Sequence, residues 1–163
     1  MPLIIGALQS ELISIFEKGP SGNPAPQLVG IKVGQAYQNY CSTIINAGGG
    51  SFTAMPGATI LGNEIGNILS TTSPAGALTG QKMAKAFDSC LSTLMSVFQT
   101  TIITAPGLGS LIPEMIDLFS TPNPSATLFA NKLARALNTF TSSAIITGVI
   151  PGTPPVPFTG PPS

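Results

Sequence analysis

The sequence repeats itself three times. Asn23-Pro24, Ser73-Pro74 and Asn123-Pro124 stand fifty residues apart. From each, one register runs without a gap through Leu28, Leu78 and Leu128, then Lys32, Lys82 and Lys132, then Ala36, Ala86 and Ala136, then Ser42, Ser92 and Ser142. Upstream, Glu11 corresponds to Glu64 and Glu114 once the first copy is allowed three extra residues within 18–22. Between Glu64–Thr93 and Glu114–Ser143, nine of thirty positions are identical. Such a period constrains the fold strongly, because one unit cannot bury its apolar face alone and must stack on its neighbours.

Each copy reads as a helical hairpin. The first helix is expected over about Leu3–Glu17, Ala58–Ser70 and Leu108–Ser120. Asn23, Ser73 and Asn123 suit the N-cap of the second helix, and Pro24, Pro74 and Pro124 suit its first helical position, where a missing N–H costs nothing. Along the second helix, Met83, Phe87, Cys90, Leu91, Leu94 and Phe98 recur at helical spacing, as do Leu133, Leu137, Phe140 and Ala144. Gly48-Gly49-Gly50, Pro106-Gly107 and Gly148 punctuate the ends. The β-branched run Thr100–Thr104 can also be extended. The expectation is an all-α body over 1–150, built from copies 1–53, 54–103 and 104–150. An extended Pro-rich arm over 151–163 completes the chain.

Charge is scarce. Six acidic and six basic residues make up 7% of 163 positions, against about 25% in ordinary soluble chains. Three windows, Val33–Asn63, Ser89–Pro113 and Ala136–Ser163, hold none. The second resembles a membrane span by hydropathy, but Gln99 and three threonines interrupt it, and Pro106-Gly107 cuts it short of the roughly 20 apolar residues required. The N-terminal stretch lacks the charged region of a signal peptide. Within each copy a Glu on the first helix is matched by a Lys near the start of the second, which reads as a structural ion pair or a solvated helix face.

Composition and motif also exclude most chemistry. There is no His, hence no Ser-His or Cys-His nucleophile pair and no usual zinc ligand. Net charge is zero with no basic cluster, which excludes phosphate neutralisation of a nucleic acid. Gly48-Gly49-Gly50-Ser51 lacks the Lys of a phosphate loop and reads as a flexible linker between copies, and Gly107-Leu108-Gly109 lacks the third Gly of a dinucleotide site and reads as a helix-entry turn. Glu114 and Asp117 alone make no metal site. No catalytic residue, metal, cofactor or small-molecule substrate is expected. Cys41 and Cys90 lie on the apolar side of second helices, where buried free thiols are the first reading and a disulfide the alternative.

The arm is the sharpest asymmetric feature. Six of its thirteen residues are Pro, and Pro151, Pro154, Pro155, Val156, Pro157 and Phe158 form an uncharged apolar stretch. Such a segment favours extended geometry and becomes ordered by lying on something. A neighbouring subunit is the expected surface. Removing residues 151–163 is then expected to leave the body folded and to abolish assembly.

The texture of Ala77-Leu78-Thr79-Gly80-Gln81-Lys82-Met83-Ala84-Lys85-Ala86-Phe87, with the Pro-rich end, resembles small virion proteins of contractile-tailed bacteriophages. The resemblance implies a tail, baseplate, neck or capsid-accessory role in many copies, made in the host cytoplasm and placed in the virion, with other structural proteins as partners. Two rival readings are a membrane-active or membrane-resident small protein and a helical-repeat binding module, for which Gln38 and Gln99 are the candidate polar residues.

Overall fold

The computed structural model describes residues 3–17, 25–71, 75–96 and 99–163. In chain order the elements are α1 (Ile5–Phe16), α2 (Pro26–Cys41), β1 (Phe52–Ala54), α3 (Gly57–Ser70), α4 (Gly76–Leu91), β2 (Met95–Ser96), β3 (Thr100–Thr104), α5 (Leu108–Ser120), α6 (Ala126–Ser142), β4 (Ile145–Ile150) and β5 (Val156–Gly160). Each first helix packs on the second helix of its own copy and on the second helix of the copy before it, with α1 meeting α6. The six helices therefore close a ring.

The ring arises from helical phase. The three second helices bury the same positions: Val33, Ala36, Tyr37 and Tyr40 on α2, Met83, Ala86, Phe87 and Cys90 on α4, Leu133, Ala136, Leu137 and Phe140 on α6. Those faces converge. The Tyr37 and Phe87 rings meet edge to face with centroids 5.0 Å apart. The Tyr37 hydroxyl lies 2.8 Å from Thr141 Oγ1, a buried hydrogen bond that ties the first copy to the third. A buried hydroxyl pair of this kind is costly to leave half made.

The seams between copies are closer than ordinary helix packing. Where α2 meets α3, a Cβ on Gly30 would collide with the Gly62 carbonyl, and one on Gly34 would stand 2.5 Å from the Ala58 carbonyl oxygen. Where α4 meets α5, a Cβ on Gly80 would lie 2.5 Å from the Ile116 nitrogen. At the third seam the register puts Ala130 and Ala134 in place of Gly30 and Gly34, both fully buried, and α6 touches α1 less extensively. Backbone-to-backbone approach needs residues without a large side chain.

Both ends of the second helices differ from expectation. The helices begin at Pro26, Gly76 and Ala126, with Ala25, Ala75 and Ser125 as caps. Only at Ser125 does a side chain cap, accepting from the Leu128 N–H at 3.1 Å. Pro26 occupies the first turn of α2. Pro124 precedes the cap, and Asn123 Nδ2 donates instead to the carbonyls of Leu118 and Thr121, closing the end of α5. Asn23, Pro24, Ser73 and Pro74 lie outside the described residues. The second helices stop at Cys41, Leu91 and Ser142, well before the glycines expected to end them. A hydroxyl turns the chain each time: Thr43, Thr93 and Ser143 donate to the carbonyls of Tyr40, Cys90 and Phe140 at 2.8, 2.7 and 2.7 Å.

Beyond those turns the all-α expectation fails, because the molecule is mixed α/β. Each second helix is followed by extended chain that pairs with extended chain from another copy. β1 pairs antiparallel with β2, and β3, β4 and β5 form a three-stranded antiparallel sheet. The arm is part of this layer. Val156–Gly160 is β5, with Pro157 opposite Val149 and Phe158 opposite Gly148. Beyond it, Ser163 exchanges two backbone hydrogen bonds with Ile45, at 2.8 and 3.1 Å, and Ile45 also bridges Ser51. The segment after β5 thus ties the third copy back to the first.

The seams make a stability prediction with a change of sign. Gly30→Ala and Gly80→Ala should each destabilise the chain by about 2 kcal/mol through overpacking. Gly109→Ala, where nothing lies within 4 Å of the added carbon, should stabilise α5 by about 0.5–1 kcal/mol. Urea unfolding monitored by circular dichroism checks both.

Candidate functional site

The repeated charges line three equivalent open grooves, one per copy, between the first and second helices. Glu11, Lys32, Gln35 and Asn39 line one; Glu64, Asn67, Lys82 and Lys85 the next; Glu114, Asp117, Lys132 and Arg135 the third. Among the described residues, no Lys or Arg nitrogen lies within 4.0 Å of a carboxylate oxygen. Glu11 instead accepts long hydrogen bonds from Asn39 Nδ2 at 3.3 and 3.4 Å. Each groove is a solvated helix face whose charges are spaced apart, and no group of three metal-ligating side chains occurs among the described residues.

Between the second helices lies a small, partly open apolar cavity lined by Val33, Met83 and Leu133 with Phe16, Phe119 and Phe129. Phe129 meets Phe16 and Phe119 edge to face, at 4.9 and 5.6 Å between centroids. Its volume of about 20 Å³ is room for about one water, and its lining offers that water no polar partner. A ligand held between hairpins has no space there.

Gln99, the polar residue that interrupts the second uncharged window, belongs to a hydrogen-bonded knot under the strands. Asn46 Nδ2 donates to Gln99 Oε1 at 2.6 Å and to Ser96 Oγ at 3.1 Å. Asn46 Oδ1 accepts from the Gly48 and Gly50 N–H groups, both at 2.9 Å, while Gly49 takes φ 76°. Asn46 is 2% exposed and fully partnered, so the knot fixes the loop joining Ile45 to β1. Asn before a glycine run signals such a turn, and Gly48-Gly49-Gly50 is this turn rather than a linker. Gln38 stands apart, on a small surface groove with Ile31 and Thr59.

The arm residues divide in two. Pro151, Pro154, Pro155, Val156 and Pro157 are exposed, whereas the Phe158 ring is half-buried and fills the space beside Gly48 and Gly148, where added Cβ atoms would meet it at 2.7 and 2.6 Å. The segment is thereby ordered on its own chain. The far face of its sheet is open. Ile102, Ile145 and Val149 are 68%, 43% and 41% exposed, and Thr100, Thr104, Thr147 and Thr159 alternate with them.

Cys41 and Cys90 are free and buried. Burial, with the nearby Glu64 charge adding, pushes the Cys90 thiol up to about 12. Burial raises Cys41, Tyr37 and Tyr40 as well, and Cys41 lifts both tyrosines further. Such thiols are packing groups and not nucleophiles. No helix among the described residues is long and apolar enough to cross a membrane.

No known protein family, curated protein or solved structure matches the chain.

Burial of the thiols and of Phe158 can each be tested. Both thiols should be silent to a thiol reagent in the native chain and titrate fully in guanidinium. Because Cys41, Cys90, Tyr37 and Tyr40 all have folded values above their unfolded ones, the stability they contribute is complete below pH of about 8.5. It is lost as pH rises through the folded values, so the melting temperature should be level near neutrality and fall on the alkaline side. Phe158→Ala should cost about 2 kcal/mol, less than a fully buried Phe. Removing 151–163 takes a strand from the sheet and frees Ile45, so the truncated chain should melt lower than the intact one.

Proposed function

We propose that the chain is a non-enzymatic structural subunit of a large multi-copy assembly, a virion protein of tail, baseplate, neck or capsid-accessory type. The observation that carries this reading is the β-layer: a sheet face of β-branched side chains, with Ile102 68% exposed, and no charge anywhere between Ser143 and Ser163. A solitary soluble protein keeps such a face polar. Coverage by partners makes it unremarkable, since the centre of a protein interface is depleted of charge.

Other features support the same reading. The charged grooves obey the internal repeat, which fits helix faces kept solvated on a scaffold. The apolar cavity is too small for a substrate. Without His, the buried thiols leave the chain no activated nucleophile.

Quantitative mass spectrometry of particles purified from the source tests the reading. The chain should be present at a fixed ratio to the major structural protein through successive purification steps. Its absence, or a ratio that falls with each step, overturns the proposal.

A further inference from the structure

Among the described residues every charged side chain sits on a helix or, at Glu17, directly after α1; the sequence stretches 42–56, 92–107 and 143–163, which contain the strands, hold no charge. The molecule has a charged helical body and a neutral end. On that end the open face of the β3–β4–β5 sheet runs in register, with Ile102 opposite Thr147 and Thr147 opposite Thr159 in the middle row. Ile145 and Val149 flank that row on β4, and Thr100 lies opposite Val149.

We infer that this face is a twofold contact between two copies of the chain, packed sheet on sheet. Three observations select a second copy as the occupant. The first is charge. A covering surface that brought ionised groups would strand them without counter-charges, at a cost of several kcal/mol per ion. The face itself brings none, so it is complementary to itself. The second is polar satisfaction. The Thr147 and Thr159 hydroxyls already bond to each other at 3.1 Å, so covering them need not strand both. The third is area. The eight outward side chains of the three strands are all exposed, and together present on the order of 600 Å², the lower end of what one partner buries in a specific dimer.

Ordinary sheet geometry sets the packing mode. Two twisted sheets lie about 10 Å apart with strands about 30° from parallel, and side chains of the two faces interdigitate. A twofold contact is isologous, so Ile102, the most prominent side chain of the face, packs among the threonines of its twin and is packed upon in return. The inference rests on the assembly reading above and names one of its contacts as self-contact.

Sedimentation velocity on the purified 163-residue chain, from low to high micromolar, tests it. The expected result is a reversible monomer–dimer equilibrium, weakened about tenfold or more in dissociation constant by Ile102→Lys and by Thr147→Glu. Both positions are exposed, so thermal melts should match the parent, and either variant alone suffices if the other melts low. Ile60→Lys, on the exposed face of α3, should leave the equilibrium unchanged. A chain that stays monomeric throughout overturns the inference, as does a dimer indifferent to both sheet variants or equally sensitive to Ile60→Lys. A monomeric chain found at fixed ratio in particles would overturn this contact and spare the assembly reading. A sheet-dependent dimer missing from particles would do the reverse.

Discussion

Between α2 and α3 the two backbones touch, with no side chain between them at Gly30, Gly34 and Gly62. Helices separated by leucines would stand further apart, and the ring would widen by that difference at each seam. The axial side chains are sized for the narrow ring: Tyr37 reaches both Phe87 and Thr141, and the cavity left over holds about 20 Å³. Close seams thus set the radius, the radius sets the axial packing, and the axial packing ties the first copy to the last. Ala130 and Ala134 relax the one seam that chain connectivity does not bridge.

Closing the helices has a second effect. It brings the ends of α2, α4 and α6 together at one end of the bundle, where each turns on a back-bonded hydroxyl and runs out as a strand. Most of these strands look beyond their own copy for a partner. β4 and β5 form a hairpin after α6, but β1 takes β2, β3 takes β4, and the segment after β5 takes Ile45, so three of the pairings cross from one copy to another. Backbone groups at that end are satisfied only when all three copies are present, which makes the β-layer a clasp on the ring.

That non-locality explains which elements are legible in the chain and which are not. The second helices are legible because their burial recurs in phase at Val33, Met83 and Leu133 and at Tyr37, Phe87 and Leu137. The strands are not: β1 has three residues and β2 has two, too few for alternation to register, and their partners lie about fifty residues away. Thr100–Thr104 carries a β-branched signal, yet only its pairing with Ile145–Val149 settles it as a strand. Proline misleads at two places. At 124 it precedes the cap because Ser125 supplies the side-chain acceptor that Asn123, already spent on the Leu118 and Thr121 carbonyls, does not. At 157 it stands in β5, beside the terminal pairing with Ile45, where proline is tolerated at the margin of a sheet. Asn46 escapes a reading of the sequence because its neighbours Gly48-Gly49-Gly50 look like slack.

The three copies agree where they build the ring and differ where they build the clasp. Lysine recurs at 32, 82 and 132 and alanine at 36, 86 and 136, whereas positions 46, 96 and 146 are Asn, Ser and Ile. The outward helix faces are therefore close to threefold equivalent, and a partner reading them alone could dock in three orientations of similar energy. The β end offers no such degeneracy. Its hydrogen-bonded knot lies at Asn46 and Gln99, its broad neutral face on β3, β4 and β5, and its exposed prolines at 151, 154 and 155. Discrimination between orientations is a difference in contact energy, and only the clasp end has different contacts to offer. A subunit that must be held in one orientation has reason to keep its symmetry in the body and lose it at the strands.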